Sequence, residues 1–388
     1  MTGNLHFTMT MYSGQTNMDV MMNLTKNLTN DAQYNCDTSS SKTFQFYLWG
    51  IVANIISAYG IIGNIISIIV LRHRIMQNST SYYLISLAIY DTIVLLSMSL
   101  FLAIPTIYLE KGDLEDYYYA YQYMHPFCYP VALFAQTGTI YTTMAFTIER
   151  YIAVCRPLEA ANTCTLSRTK RVICLIFVAS LVYNFPRFLE SQTTEYIDPK
   201  TNRTLPQIQL TQIGLNQVFQ QVYFIYLNLF IMFLLPFSFL AVLNVQLIRA
   251  VKVARNARIK MSTSASKEAN LTVMLIAVIM VFLVCQLPSI ADNILWTIFD
   301  MKQLHCSIHY IRFTTISNLM VVINSAVNFI LYCLFGKRFR KVFIKIFCKW
   351  KKKEPQFKYI MYDSVVINTG SRRIMNQTKF YDTDSTFV

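Results

Sequence analysis

Seven segments of this sequence are as long as a membrane-spanning helix and carry almost no charge. They cover residues 43–71, 75–109, 117–148, 172–189, 222–248, 269–291 and 313–336, and Asp91 and Arg187 are the only Asp, Glu, Lys or Arg residues within them. A helix needs about 20 apolar residues to cross roughly 30 Å of hydrocarbon. A buried helix of a soluble protein could explain one such run, but not seven in series. We therefore predict an all-α membrane protein, a seven-transmembrane helix bundle.

Charged residues are scarce and unevenly placed. Only 14% of the residues are charged and 54% are hydrophobic, whereas a typical soluble domain has about 25% charged residues. With the N-terminus outside, 26 of the 34 Lys and Arg residues fall in cytoplasmic segments and 6 in external ones. Basic residues favour the cytoplasmic side of a membrane. The net charge of +14 thus indicates membrane flanks rather than nucleic-acid binding. We expect a multi-pass protein of the plasma membrane with an extracellular N-terminus.

Glycosylation sequons agree with this orientation. Asn23, Asn27 and Asn202 each begin an Asn-X-Thr sequon in a segment that is predicted to be extracellular. The loops between the spans are short, so a single membrane domain is expected. We divide the chain into an extracellular arm (1–44), a seven-transmembrane domain (45–335), an amphipathic membrane-surface helix (336–350) and a cytoplasmic tail (351–388).

The segment after the seventh span alternates apolar and basic residues at helical spacing. This pattern is typical of a helix that lies on an anionic membrane face, so membrane lipid is an expected partner. Cys348 at its end is a candidate palmitoylation site, with a buried thiol as the alternative. The chain ends in Thr386-Phe387-Val388, which suits strand addition to a PDZ domain, although such short tails also arise by chance.

Polar side chains recur at membrane depth around one carboxylate, that of Asp91. The others belong to Asn64, Thr139, Asn324, Ser325 and Asn328. They could serve as hydrogen-bonding contacts between helices, each worth about 1 kcal/mol. A lone carboxylate within a membrane span also needs a partner. We therefore favour one network that binds a sodium ion at Asp91, Thr139, Asn324 and Ser325 and that rearranges on activation.

An ordered set of short motifs marks the spans. The third span ends in Glu149-Arg150-Tyr151, and Pro157-Leu158 follows. The remaining motif residues are Asn64 in the first span, Asp91 in the second, Pro236 in the fifth, Phe282 and Pro288 in the sixth, and Asn324 to Tyr332 (NSxxNxxxY) in the seventh. This set resembles the rhodopsin-like (class A) G-protein-coupled receptors, over about residues 45 to 348.

The resemblance implies a receptor rather than an enzyme, with a heterotrimeric G protein and arrestin as partners and no cofactor beyond an allosteric sodium ion. Arg150 would pair with Glu149 and Glu268 at rest and turn towards the G protein on activation. Leu158 would insert into the G protein. The remaining residues of the activation switch would be Asp91, Ile140, Pro236, Phe282, Asn328 and Tyr332, with Ile140, Pro236 and Phe282 packed beneath the ligand.

Three residues depart from the family pattern. Gln286 replaces the usual tryptophan of the sixth span, Phe329 stands where proline normally follows Asn328, and Asn244 replaces a tyrosine of the fifth span. A proline is a common cause of helix kinks, so the seventh span should be straighter than usual. These departures leave the details of switching open.

The cysteines depart from the family pattern as well. The family ties the third span to the second external loop by a disulfide, yet this chain has no cysteine between Cys174 and Cys285. We predict that Cys36 bonds Cys306 instead, since the extracellular side favours oxidation. Cys128 would then be a free, partly buried thiol.

Two positions argue against ligand classes of the family. Ala132 stands where receptors for biogenic amines carry an aspartate, and Val322 stands where opsins carry the retinal lysine. The segments 155–164, 183–190 and 327–341 resemble invertebrate FMRFamide-type neuropeptide receptors. This implies a short amidated peptide that enters C-terminus first. The expected pocket residues are Gln136, Glu190, Asn228, Gln286, Asp292, Asn293, Trp296 and Asn318, with Glu190 preferred to Asp292 as the partner of the peptide's arginine.

Other functions remain open at this point. Within the same class, the ligand could be a different amidated peptide or a protein hormone. Outside it, a seven-helix transporter or channel is the alternative, but the sequence shows neither an internal repeat nor a line of charges through the bundle.

Overall fold

The computed structural model describes residues 43–104, 106–107, 115–197, 202, 204–257, 263–298 and 307–347. These residues all lie in the unit Met1–Cys348. Their main feature is a series of seven long helices. The helix bounds are Thr43–Leu71, Ser79–Met98 continuing as a wider π-helix over Ser99–Ala103, Glu115–Cys155, Leu166–Asn184 continuing as a 3-10 helix over Phe185–Leu189, Gln217–Ala250 continuing to Ala257, Thr263–Ile298 and Ile308–Phe335.

Further elements connect or follow the spans, among them a 3-10 helix, Arg74–Met76, after the first span and a short helix, Gln212–Leu215, before the fifth. A short helix, Pro157–Thr163, joins the third span to the fourth. A hairpin of β1 (Ser191–Ile197) and β2 (Thr204–Leu210) joins the fourth span to the fifth, with Thr193 opposite Ile208. The amphipathic helix Lys337–Phe347 follows the seventh span and buries Phe339 and Val342. We call the two ends of the bundle the Arg150 end and the Glu190 end.

The outward surface of the bundle is apolar. Large side chains such as Ile55, Leu175 and Tyr226 are 64–67% exposed. Within the described residues, six helices are long and apolar enough to cross a membrane. The third span, Glu115–Cys155, is the seventh such helix in position; it is less apolar because it contains many Tyr, Thr and Gln residues, yet residues 117–148 include no Asp, Glu, Lys or Arg. The predicted architecture, a seven-transmembrane bundle followed by an amphipathic helix, is confirmed.

Several helices extend beyond the predicted apolar segments. The fourth span begins at Leu166 rather than at residue 172, and the sixth covers Thr263–Ile298 rather than 269–291. The apolar criterion detects only the part of a helix that lies in hydrocarbon. Polar and basic residues are compatible with helix outside that part, so charge alone places the helix ends too far inside.

Close approach of the helices depends on glycine at two positions. A Cβ atom on Gly60 of the first span would lie 2.8 Å from Cα of Ala326 in the seventh span. A Cβ atom on Gly138 of the third span would lie 2.4 Å from the Tyr90 ring of the second span. Small residues allow membrane helices to approach closely. The second, third and seventh spans consequently contribute most of the central buried residues.

The fifth span contains two wide helical segments, Gln220–Leu227 and Leu229–Leu234. In this wide register an N–H bonds the carbonyl five residues back, as Leu235 does to Phe230. Pro236 comes next and has no N–H, so the Ile231 carbonyl lacks a backbone donor in the same register. The Tyr141 hydroxyl of the third span donates to it instead, at 2.9 Å.

Candidate functional site

The sixth and seventh spans enclose a carboxylate near the Glu190 end. Asp292 is 5% exposed and accepts hydrogen bonds from the hydroxyl groups of Tyr310 (2.8 Å) and Thr314 (3.0 Å). Both donors are neutral, and no basic side chain that the structure describes forms an ion pair with Asp292. A buried charge without a counter-charge is unfavourable. The Asp292 carboxylate is therefore suited to bind a cationic group.

The next residue, Asn293, faces the fifth span instead. Asn228 Nδ2 donates to Asn293 Oδ1 at 3.1 Å, and Asn293 Nδ2 donates to the Ser289 carbonyl at 2.8 Å. The hydroxyl groups of Ser289 and Ser317 are 3.2 Å apart, which links the sixth span to the seventh. The two neighbouring residues thus point to different helices, as the 3.6-residue helical turn requires.

Gln286 lies two turns before Asn293, on the same face of the sixth span. Its side chain is 1% exposed, and its Oε1 atom has no hydrogen-bond donor among the described residues. A buried acceptor without a donor is unfavourable by about 1–3 kcal/mol. Gln136 of the third span is also buried, and Asn318 of the seventh is half-buried. Trp296 falls on the sixth-span helix, but its side chain lies outside the described part.

Glu190 has a partner within the chain. Arg187 Nη1 lies 3.2 Å from Glu190 Oε2, and both side chains are buried. The Arg187 guanidinium also lies 3.9 Å from the centre of the Phe224 ring, with the Tyr223 ring at 5.3 Å. Arg187 thus already neutralises Glu190, whereas the described partners of Asp292 are neutral.

The polar network at membrane depth forms around Asp91. Its carboxylate is fully buried and accepts from Asn328 Nδ2 at 2.7 Å and from the Thr139 hydroxyl at 3.2 Å. The Ser325 hydroxyl contacts the same carboxylate, and Asn64 Nδ2 donates to the Ser325 carbonyl at 3.1 Å. Asn324 and Tyr332 are buried close by in sequence, and the Tyr332 hydroxyl has no partner among the described residues.

Two of the three residues of the predicted packing switch lie in one buried apolar cluster. Ile140 and Phe282 are 0% and 2% exposed and belong to the same buried cluster. Pro236 is buried in the fifth span, and the neighbouring Phe237 ring lies 5.7 Å from the Phe282 ring. The structure thus places all three residues between the polar site at the Glu190 end and the Arg150 end.

At the Arg150 end, Glu149 collects four donors. Arg150 Nη2 lies 2.8 Å from its Oε1 atom, and the hydroxyl groups of Ser79, Thr80 and Thr169 also donate to its carboxylate. Arg150 thus contacts Glu149, one of the two partners that the sequence predicts for it. Glu268 lies on the sixth-span helix, but its side chain lies outside the described part. Leu158, on the short helix, is 91% exposed.

Several predicted sites cannot be compared with the structure. Asn23, Asn27, Cys36, Cys306, Cys348 and the segment Thr386–Val388 lie outside the described residues. Asn202 is described: it is exposed at the turn between β1 and β2, with a φ of 53°, a left-handed conformation that asparagine tolerates. Cys128 is a free, half-buried thiol.

Some residues of the site were not predicted. Arg187 could have been found, because an arginine three residues before Glu190 on a helical turn indicates a pair. Tyr310 and Thr314 could not have been found in this way, because their contact with Asp292 depends on the relative rotation of two helices. Gln122, which contacts the hairpin, gave no sequence signal either.

Comparison with known proteins agrees with this architecture. The profile of the 7 transmembrane receptor (rhodopsin family) matches residues 63–332. The FMRFamide receptor of Drosophila melanogaster is 36% identical over 84% of this chain and 58% of its own length. The FMRFamide peptide receptor frpr-18 of Caenorhabditis elegans is 30% identical over 75% of this chain and 67% of its own. The mouse neuromedin-U receptor 1 is 26% identical over 75% and 71%.

These relatives are receptors by name and none is an enzyme. The family profile covers more than half of the chain, and it spans the motif residues from Asn64 to Tyr332. The chain is a multi-pass membrane protein that belongs to the rhodopsin family of seven-transmembrane receptors.

Proposed function

We propose that this chain is a plasma-membrane receptor for a short amidated peptide of the FMRFamide type, with its N-terminus outside the cell. The names of the Drosophila and Caenorhabditis relatives support this ligand class. The chain spans little more than half the length of the Drosophila receptor, so its ligand is carried over as a proposal. On agonist binding the receptor signals to a heterotrimeric G protein.

The observation that carries the ligand class is the buried Asp292 carboxylate, which has only hydroxyl partners. An arginine of the peptide would supply the missing positive charge. Its guanidinium can donate two parallel hydrogen bonds to a carboxylate, which adds geometric selectivity. Asp292 lies near the Glu190 end, where a peptide arriving from outside would enter.

The amide terminus of the peptide would lie deeper in the bundle. A terminal carboxamide carries two N–H donors, and the buried Gln286 Oε1 atom lacks a donor among the described residues. A free carboxylate at the same place would be buried as a charge, which is strongly unfavourable. Asn228, Asn293, Gln136 and Asn318 would contribute further amide contacts, with Trp296 on the same span.

The signal would pass from this pocket through Ile140, Pro236 and Phe282 to the Arg150 end. Binding of a G protein would draw Arg150 away from Glu149 and receive the exposed Leu158. In the resting state Glu268 would be a second partner of Arg150. Arrestin would compete for the same end. A PDZ protein would bind Thr386–Val388. A palmitoyl group on Cys348 would attach the chain to the membrane.

A sodium ion fits the Asp91 network by its chemistry. Asp91, Thr139 and Ser325 could bind the ion through their side-chain oxygen atoms, and Asn324 is buried nearby. The Asp91 carboxylate has no basic partner among the described residues. Bound there, the ion would neutralise Asp91 and favour the resting state. Sodium should therefore lower agonist affinity, and Asp91→Asn should remove that dependence.

The test of the peptide pose compares an Arg-Phe-amide peptide with an analogue that carries citrulline in place of arginine. A charge-assisted hydrogen bond contributes roughly 1.5–3 kcal/mol, or one to two decades of potency. Asp292→Asn should weaken the arginine peptide by that factor and barely change the potency of the citrulline analogue. Cell-surface expression measured in parallel separates lost binding from lost folding.

Two outcomes would contradict the pose. If Glu190→Gln, but not Asp292→Asn, discriminated between the two peptides, Glu190 would be the anchor despite its contact with Arg187. If the free-acid peptide were as potent as the amide, the peptide could not enter amide-first.

A receptor for a different peptide is the second candidate. It is favoured by the similarity to the neuromedin-U receptor and to the human thyrotropin-releasing hormone receptor, which is 27% identical over 81% of this chain. A screen of amidated peptides on cells that express this chain, read out as nucleotide exchange on G proteins, separates the two candidates. The same readout separates any receptor from a transporter.

A further inference from the structure

The β1–β2 hairpin lies against the third span without a covalent attachment of its own. The sequence between Cys174 and Cys285 contains no cysteine, so no disulfide can link the hairpin to another element. The hairpin must be held by weaker contacts. An isolated two-stranded hairpin is at best marginally stable in water, so these contacts decide whether it keeps its position.

One buried residue of the third span bonds both strands. Gln122 is 2% exposed. Its backbone carbonyl accepts a hydrogen bond from the Thr193 hydroxyl of β1 at 2.6 Å, and its side-chain Oε1 accepts from the Ile208 N–H of β2 at 3.1 Å. Thr193 and Ile208 are directly opposite each other in the hairpin. Gln122 thus binds the two members of a single cross-strand pair.

The contact with Ile208 provides a hydrogen-bond acceptor for a backbone N–H group at the open edge of the sheet. In an antiparallel pair, backbone N–H groups point alternately towards the partner strand and away from it. The Ile208 N–H points to Gln122 and hence away from β1, where a two-stranded sheet offers no acceptor. Ile208 is 4% exposed, so water does not readily replace the glutamine. Loss of this acceptor would leave a buried donor unpaired.

The base of the hairpin has a separate attachment. The Glu190 carbonyl accepts from the Thr211 N–H at 2.9 Å, and the Thr211 hydroxyl donates to the Leu189 carbonyl at 2.6 Å. Gly214 packs so closely that a Cβ atom there would lie 2.3 Å from the Glu190 carbonyl oxygen. These contacts fix the two strand ends next to the fourth span. Nearer its middle, the hairpin contacts the third span through the two hydrogen bonds of Gln122 and through the packing of Ile208 in the apolar cluster.

We propose that Gln122 is the positioning residue that holds the hairpin against the third span, as a hydrogen-bonded clamp in place of a disulfide. The clamp consists of Gln122, Thr193 and Ile208. Because the clamp is not covalent, the hairpin can move away from the third span when the two hydrogen bonds break and Ile208 leaves its apolar contacts. A second consequence rests on the proposed function: the clamp determines how fast a bound peptide dissociates from the pocket.

Hydrogen exchange of the purified, ligand-free receptor in lipid nanodiscs tests the clamp. Gln122→Met keeps the length of the side chain and removes the amide acceptor, while Thr193→Val keeps the shape and removes the hydroxyl. Each should raise the exchange rate of amides in 204–210 about tenfold, because a hydrogen bond contributes on the order of one decade in an opening equilibrium.

Two variants control for general destabilisation. Thr193→Ser retains a hydroxyl and should keep the wild-type exchange rate. Thr194→Val alters the adjacent residue, whose hydroxyl bonds Gln207 within the hairpin at 3.4 Å and not the third span. It should leave exchange nearly unchanged. Equal effects of Thr194→Val and Thr193→Val, or unchanged exchange in Gln122→Met, would overturn the proposal.

A measurement on the wild-type receptor covers the case in which Gln122→Met fails to fold. Resolved to single residues, the Ile208 amide, which points away from β1, should be protected as strongly as the amides of Gln207 and Gln209, which point towards β1. Rapid exchange of the Ile208 amide would overturn the clamp. The dissociation rate of a labelled Arg-Phe-amide peptide should rise about tenfold in Thr193→Val. If the wild-type receptor binds no such peptide, the proposed ligand fails, while the exchange experiment still decides the clamp.

Discussion

The buried carboxylates of the bundle differ in how their charge is balanced. Glu149 lies 2.8 Å from Arg150 and Glu190 lies 3.2 Å from Arg187, whereas the described partners of Asp91 and Asp292 are neutral. Glu149 and Glu190 each have a cationic partner within the chain, so another cation would have to displace an arginine. The other two can receive a cation, which makes one a candidate for an ion and the other for a peptide side chain.

The sequence could predict some of these contacts and not others. The sequence predicts that Asp91 contacts Thr139 and Asn328, because polar side chains at membrane depth need hydrogen-bonding partners. The structure shows both contacts. The sequence also predicts Asp292 and Asn293 as pocket residues, but the preference for Glu190 as the anchor does not take its contact with Arg187 into account. The partners of Asp292 depend on how two helices are rotated about their axes, which no local pattern records.

A prediction at this scale concerns Glu149. Glu149→Gln removes the charge that holds Arg150, so signalling without agonist should rise several-fold in a nucleotide-exchange assay at equal surface expression. Loss of one partner of a buried pair can cost several kcal/mol, and the resting state would bear that cost. Glu159→Gln is the matched control, because its pair with Arg156 is more than half exposed and contributes little. Basal signalling that stays at the wild-type level in Glu149→Gln would refute the role of the pair.

At the scale of the helices, the length of the apolar segments and their lack of charge predict all seven spans but not their local irregularities. The wide turns of the fifth span have no composition signal of their own. Their link to the third span, the hydrogen bond from the Tyr141 hydroxyl to the Ile231 carbonyl, could not be predicted from the sequence. The proline at position 236 was visible, but the identity of the carbonyl that it leaves unpaired follows only from the observed register.

Tyr141→Phe tests this link. It removes one hydroxyl and leaves the Ile231 carbonyl without its donor, so the free energy of unfolding should fall by about 1 kcal/mol. Thermal unfolding in a mild detergent would report this as a lowered midpoint. Tyr59 lies on the outer face of the first span and is 45% exposed, so Tyr59→Phe should leave the midpoint unchanged. Equal midpoints for both variants would mean that the Tyr141 bond does not stabilise the fifth span.

Helix contact at Gly60 gives a second prediction. Gly60→Ala places a methyl group 2.8 Å from backbone of the seventh span, which cannot move aside alone, so a loss of roughly 1–3 kcal/mol is expected. Gly63→Ala should cost less, because its nearest neighbour is the Phe329 side chain at 2.9 Å. Unfolding midpoints in the order wild type, Gly63→Ala, Gly60→Ala would agree with this geometry. The reverse order would contradict it.

At the scale of the whole molecule, the apolar outer face and the distribution of charge both follow from composition, which is why the architecture was predictable. The orientation in the membrane rests on charge bias and sequons. Asn202 at the hairpin turn is exposed and carries a sequon, so it should be glycosylated if the Glu190 end is outside.

The glycan at Asn202 is measurable as a mass that a glycosidase removes. In a background of Asn23→Gln and Asn27→Gln, this mass should disappear on Asn202→Gln. Asn376, which begins a sequon in the predicted cytoplasmic tail, provides the internal control and should stay unmodified. A glycan on Asn376 and none on Asn202 would invert the topology.

The polar character of the third span has a consequence for how the protein is made. Three of its buried threonines, Thr137, Thr143 and Thr147, donate their hydroxyls to carbonyls four residues back on the same helix. That helix alone is the least suited of the seven to enter lipid from the translocon, because its many Gln, Tyr and Thr side chains make it the least apolar of the spans. It should therefore remain beside the translocation channel until neighbouring helices arrive. Truncated nascent chains that stop after the third span should be released into the bilayer later than chains that stop after the fourth.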